Sequence, residues 1–100
     1  MRFPKSVTIL GRKFAVKLVT TEKLIAVTGQ RSVGALDFSG KTIYILKDLS
    51  RDEQFLTLYH EVAHAVQSTV GLDQITSPEL AEIWCESMAN GFMDLAKIVR

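Results

Sequence analysis

Apolar and polar residues alternate in the first half of the chain in the manner of β-strands that bury one face. Residues 6–10 and 14–19 are rich in apolar side chains and flank the glycine-bearing segment 11–13, which predicts a β-hairpin. Residues 35–38 and 42–46 flank a Ser-Gly-Lys segment and predict a second hairpin, with clearer alternation. These two hairpins are expected to form a small, mainly antiparallel sheet.

A short helix and a loop are predicted between the hairpins. Thr20 or Thr21 is a suitable N-terminal cap for a helix that extends to Val27. Residues 29–34 are polar and have glycine at both ends, which indicates a loop. The chain is therefore expected to pass through a helix and a loop before the second hairpin.

The second half of the chain carries two long helical patterns. Ser50 and Glu53 have the spacing of a capping box and predict a helix over about 51–70, which Gly71 ends. A second helix is predicted over about 78–98, because a serine cap, a proline and a glutamate precede its apolar residues. Apolar residues of both helices are expected to pack between the helices and the sheet, namely Leu56, Val62, Ala63, Val66, Leu80, Ile83, Met88 and Phe92.

Length and composition indicate one small globular domain. The chain has 100 residues, which suffices for a single core and predicts one α+β domain over residues 1–100. A net charge of +1, with no cluster of basic residues, gives no indication of nucleic-acid binding. Cys85 is the single cysteine, residues 1–5 lack the apolar run of a signal peptide, and no stretch has membrane-spanning length. A cytoplasmic protein without membrane association is expected.

The residues with the clearest chemistry lie within the first long helix, in the sequence His60-Glu61-Val62-Ala63-His64. Histidines at positions i and i+4 lie on the same face of a helix, so both imidazoles can bind one tetrahedral metal ion. The glutamate after the first histidine can reach a water on that metal. The alternative is a metal-free helix with two histidines at its surface or in the core. We favour the metal because the chain has only two histidines and they have this spacing.

A catalytic zinc site usually has three protein ligands, and the last helix offers carboxylates for the third. If that helix folds back antiparallel from residue 78, its rise places Glu86 level with the two histidines, whereas Glu82 falls short and Asp94 overshoots. Glu86 is therefore the expected ligand and Glu82 the second candidate. Asn90 lies one turn beyond Glu86, where it can accept a hydrogen bond from a histidine and orient the ring. The alternatives are that Glu86 is a solvated glutamate and that Asn90 is a surface amide without a role in the site.

Two segments resemble the ImmA/IrrE-type metallopeptidases, which belong to the gluzincin group of zinc peptidases. Residues 57–65, which contain the His-Glu-x-x-His motif, are similar to the active-site helix of that family. Residues 86–92 resemble its glutamate-x-x-alanine-(asparagine or aspartate)-x-phenylalanine segment. The resemblance implies a zincin-like fold, one Zn²⁺ per chain held by His60, His64 and Glu86, and Glu61 as the general base. It also implies a phage or mobile-element context.

The expected activity is zinc-dependent hydrolysis of peptide bonds in a protein or peptide substrate, with Glu61 activating the water. Tyr44, on a predicted strand next to the cleft, is the candidate donor to the oxyanion, because Tyr59 points about a quarter-turn away from His60. The hairpin over 35–46 is expected to supply an edge strand for an extended peptide. One alternative is a zinc-binding regulatory or interaction protein with weak or no proteolytic activity and a protein partner. The other is a structural domain without metal.

Overall fold

The chain folds into strands followed by two long helices. The computed structural model describes residues 3–71 and 77–99. The elements in chain order are β1 (Ser6–Ile9), β2 (Arg12–Val19), α1 (Thr21–Thr28), β3 (Gly34–Asp37), β4 (Thr42–Leu46), α2 (Arg51–Val70) and α3 (Pro78–Val99). The predicted α+β class is confirmed, and the loop predicted over 71–77 lies largely outside the described residues.

The four strands form one sheet in the order β1-β2-β4-β3. Both predicted hairpins are present, since β1 pairs antiparallel with β2 and β3 pairs antiparallel with β4. However, β2 and β4 are parallel neighbours, so the sheet is mixed and the expectation of a mainly antiparallel sheet is wrong. The physical reason is the crossover through α1 and β3, which returns the chain so that β4 runs in the direction of β2. This pairing buries Val16 beside Ile43 at the centre of the sheet.

The turn of the first hairpin contains a residue in an unfavourable conformation. Leu10 has φ of 50° and Gly11 has φ of 81°, so both residues of the turn are left-handed. Hairpin turns with positive φ at both positions favour asparagine or aspartate followed by glycine. Leu10 lacks a short polar side chain and is 60% exposed, so it gains little from packing in return.

Helix α2 has the predicted bounds because its ends are chemically defined. The Ser50 hydroxyl accepts a hydrogen bond from the Glu53 amide at 3.2 Å, and the Glu53 carboxylate accepts one from the Ser50 amide at 3.0 Å. Gly71, with φ of 79°, ends the helix. One face of α2 packs on the sheet, where the buried core consists of Phe3, Ile9, Phe14, Val16, Ile43, Ile45, Leu58 and Ala65.

Helix α3 packs against α2 through small and medium side chains. The hydroxyl of Ser77 accepts a hydrogen bond from the Leu80 amide, as expected of a cap. Among residues 78–94 of α3, whose side chains the structure describes, the buried ones are Ala81, Cys85, Ala89 and Met93. The expectation that Leu80 and Ile83 belong to the core is wrong, because they are 59% and 61% exposed. Within the described ranges 3–71 and 77–99, no helix combines the length and apolar character needed to cross a membrane.

Candidate metal centre

The two histidines of the motif lie side by side in the middle of α2, on the face that meets α3. Their side chains are 15% and 27% exposed, so each ring is largely shielded from water. The Nε2 atoms of His60 and His64 are 3.1 Å apart. The helix therefore directs both ring nitrogens to one point, as the spacing of the motif predicts.

Glu82 of α3 completes this group of ligand atoms. Its Oε1 lies 2.7 Å from His60 Nε2, and its Oε2 lies 3.2 Å from His64 Nε2. In a tetrahedral zinc site with bonds of about 2.0–2.2 Å, neighbouring ligand atoms are roughly 3.3–3.5 Å apart. The separations observed here, from 2.7 to 3.2 Å, are shorter, so these side chains would have to move apart to hold zinc, by at most about 0.8 Å. His60, His64 and Glu82 thus form a group that can hold a metal ion.

Glu86, the expected third ligand, lies on the other side of the His60 ring. Its Oε1 is 3.0 Å from His60 Nδ1. A carboxylate at Nδ1 accepts a hydrogen bond from Nδ1–H, which keeps the proton on that nitrogen and leaves the lone pair of Nε2 free for a metal. The structure therefore brings Glu86 to the site, but in the position of an orienting group, while Glu82 has the position of a ligand. The ligand role of Glu86 remains a prediction.

Asn90 and Tyr44 have surroundings that differ from those expected. The Asn90 amide donates at 2.8 Å to the backbone carbonyl of Glu86, within its own helix, and the residue is exposed. Tyr44 lies between the fully buried Ile43 and Ile45 on β4, so its side chain points to the sheet face opposite α2. No contact among the described residues supports orientation of a histidine by Asn90 or donation to an oxyanion by Tyr44.

Gln67 is a site residue that the sequence did not reveal. Its side chain is hydrogen-bonded to His64, and its Nε2 donates at 3.2 Å to the backbone carbonyl of Ala81 on α3. Gln67 is 3% exposed. Since Gln67 lies three residues after His64, the helical spacing was the available signal. Gln67 connects one histidine to the helix that carries Glu82.

The carboxyl group of Glu61 is buried beside the metal ligands. Glu61 is 8% exposed, and burial together with the charge of Glu82 raises its pKa from 4.5 to about 7. A carboxyl group with such a pKa can both accept and return a proton near neutral pH. Burial lowers the pKa of His64, against the opposing effect of the Glu82 carboxylate. His64 is thereby favoured in the neutral form that binds metals.

A cleft of about 510 Å³ opens above these groups. One wall carries the metal-binding group and Glu61, and the other is formed by the segment 30–34, which leads into β3. A Cβ atom on Gly34 would lie 2.5 Å from Thr57 Cγ2 and 3.4 Å from Glu61 Oε2. Glycine is therefore required at this position for the segment to lie so close to the His-Glu-x-x-His motif.

Comparisons of the chain with protein-family models, curated proteins and solved structures find no match. The resemblance to ImmA/IrrE-type peptidases, and with it the zincin-like fold, therefore remains a prediction from residues 57–65 and 86–92.

Proposed function

We propose that this protein is a zinc-dependent peptidase. The observation that carries the proposal is the arrangement of His60, His64 and Glu82 with the buried carboxyl of Glu61 in one cleft. A site that only held a metal would have no use for Glu61, whose burial in charged form destabilises the fold. The combination of a metal-binding group and an acid–base group is the requirement for metal-assisted hydrolysis.

The proposed ligands are His60, His64 and Glu82, with Glu86 orienting His60. Two arrangements are possible, because Glu82 and Glu86 are four residues apart, as are Glu86 and Asn90. In the first, Glu82 binds the metal and Glu86 orients His60, and the contacts to the histidines support it. In the second, which the family resemblance implies, Glu86 binds the metal and Asn90 orients a histidine. The two alternatives differ by one helical turn and are separated by mutation.

When bound, zinc supplies a Lewis acid that polarises the scissile carbonyl and acidifies the attacking water. Glu61 would accept a proton from the attacking water and pass it to the leaving amine. Glu86, at Nδ1 of His60, and Gln67, hydrogen-bonded to His64, keep the imidazoles oriented.

We propose that the substrate is an extended peptide. Strand β3 is at the edge of the sheet, and Gly34 at its start lines the cleft. A peptide that adds to β3 as a further strand would pass the metal-binding group. The edge strand expected within the hairpin 35–46 is therefore β3, while β4 lies inside the sheet.

The deciding experiment is metal analysis of the protein purified without chelator, together with two glutamine variants. We expect about one zinc per chain in the wild type, loss of zinc in Glu82→Gln, and retention with weaker binding in Glu86→Gln. Glu79→Gln, at an exposed glutamate of the same helix, is the matched control. The reverse pattern for the two variants would assign the ligand to Glu86. Failure to take up zinc at any concentration would exclude the function.

A second candidate function is a zinc-binding regulatory protein with weak or no proteolytic activity, acting through a protein partner. It is favoured by the positions of the tyrosines: Tyr44 lies on the opposite sheet face, and Tyr59 packs between Phe55 and Phe92. Neither lines the cleft. The test is to incubate the zinc-loaded wild type and the Glu61→Gln variant with a diverse peptide library at the same concentrations. If neither protein cleaves any peptide, this alternative is supported.

A further inference from the structure

A peptidase needs a hydrogen-bond donor for the oxygen of the carbonyl under attack, besides the metal. Both histidines already belong to the metal-binding group, and the tyrosines lie away from the cleft. Besides the histidines, three described residues that line the cleft carry a side-chain donor: Gln30 and Ser32 in the segment opposite α2, and Thr57 on α2. Thr57 turns its methyl group toward Gly34, so we look for the donor between residues 30 and 34.

Ser32, in that segment, has an unusual hydroxyl group. Its Oγ is buried and has no hydrogen-bond partner among residues 3–71 and 77–99, although Ser32 lines the same cleft as His60 and Glu61. A buried polar atom without a partner costs about 1–3 kcal/mol, so folded proteins retain few of them. The Oγ atom has almost no accessible surface, so the Ser32 side chain must turn toward the cleft before the acceptor oxygen of a ligand can satisfy it.

The position of Ser32 is fixed by its neighbours. The carbonyl of Val33 accepts a hydrogen bond from the Leu46 amide at 2.8 Å, which extends the pairing of β3 and β4 by one residue. The next residue, Gly34, lies against Thr57 and Glu61 without room for a side chain. Ser32 is thus anchored from both the sheet and the motif helix. Such anchoring is what a preorganised donor requires.

We infer that Ser32 is a catalytic residue whose hydroxyl donates a hydrogen bond to the substrate carbonyl oxygen during attack. This inference rests on the proposed function. Ser32 forms no covalent bond with the substrate, because Glu61 and the water carry out the proton transfers and the attack. The hydroxyl has no partner among the described residues of the free protein and would gain one in the complex.

The test uses the variants Ser32→Ala and Ser32→Thr, with Ser39→Ala in the exposed turn of the second hairpin as the matched control. Zinc content is measured first. Binding of acetohydroxamate to the zinc-loaded proteins is then measured by calorimetry, since its carbonyl oxygen stands for that of a substrate. Thermal unfolding of the zinc-free proteins provides a readout that does not depend on activity.

We expect Ser32→Ala to keep its zinc, to bind acetohydroxamate about tenfold more weakly, and to unfold at the same or a higher temperature. Ser32→Thr, which keeps the hydroxyl, should restore most of the binding. Equal binding by wild type and Ser32→Ala at equal zinc content would overturn the inference and leave the proposed function intact. A wild-type protein without zinc would overturn both, and the metal analysis identifies that case.

Discussion

The buried carboxyl of Glu61 makes the zinc-free protein less stable at neutral pH than at acidic pH. Its pKa is raised, first by burial and second by the charge of Glu82, from 4.5 to about 7. The folded protein therefore holds the proton more tightly than the unfolded chain does. The contribution of the Glu61 carboxyl to the free energy of unfolding is fully present below pH 4.5 and is lost as the pH rises through about 7.

The size of this effect follows from the pKa difference. Each pKa unit corresponds to about 1.4 kcal/mol, so ionising Glu61 in the folded, zinc-free protein costs about 3 kcal/mol. Glutamine has nearly the same shape and never ionises. We expect Glu61→Gln to gain up to about 3 kcal/mol relative to the wild type between pH 4.5 and pH 8.

The assay is urea unfolding of both proteins in the presence of EDTA at several pH values, followed by circular dichroism. The difference between the two free energies of unfolding is plotted against pH, so that titration of groups common to both proteins largely cancels. Glu79→Gln, at an exposed position, is the matched control. A flat difference for Glu61→Gln would refute the reasoning, because the carboxyl would then titrate as in the unfolded chain.

Four further predictions concern the scaffold around the site. Leu10→Asn should stabilise the first hairpin by about 0.5–1 kcal/mol in urea unfolding, because asparagine tolerates the left-handed conformation; a loss of stability would contradict this. Burial, followed by the charge of Glu82, raises the pKa of Cys85 to about 12, so alkylation by iodoacetamide at pH 8 should be far slower than in urea-unfolded protein. Gln67→Met should lower zinc affinity by roughly 10–100-fold in a competition titration with little loss of helix content. Ala89→Leu should cost about 1–3 kcal/mol, since Ala89 is 1% exposed, whereas Ile83→Lys on the exposed face should change stability by less than about 0.5 kcal/mol.

Local chemistry made the elements predictable from the sequence. The reciprocal hydrogen bonds of Ser50 and Glu53 define the start of α2, and the left-handed Gly71 defines its end. The prediction that His60 and His64 lie on the same face depends only on the geometry of one helix. Each of these predictions depends on residues within a few positions of one another, and each is confirmed by the structure.

Predictions that depended on contacts between elements were less successful. The hairpins were recognisable, but nothing local indicates that β4 lies beside β2, because that pairing is decided by burial of the two inner strands. On α3, apolar residues occur on two sides of the helix. The sequence pattern favoured Leu80 and Ile83, whereas the structure buries Ala81, Cys85 and Ala89. Small residues allow close approach of two helices, and a ranking by hydrophobicity does not show this.

The choice between Glu82 and Glu86 depends on the same packing. One helical turn is about 5.4 Å, so a shift of α3 by that distance would exchange the two carboxylates at the histidines. In the structure, the position of α3 along α2 is held by its small buried residues and by the hydrogen bond from Gln67 to the Ala81 carbonyl. In the proposed site the motif on α2 would supply two ligands and the base, whereas the small buried residues of α3 would determine which glutamate is the third ligand. We therefore expect a change such as Ala89→Leu to weaken or abolish metal binding without altering any proposed ligand, and a search for His-Glu-x-x-His alone would not predict that loss.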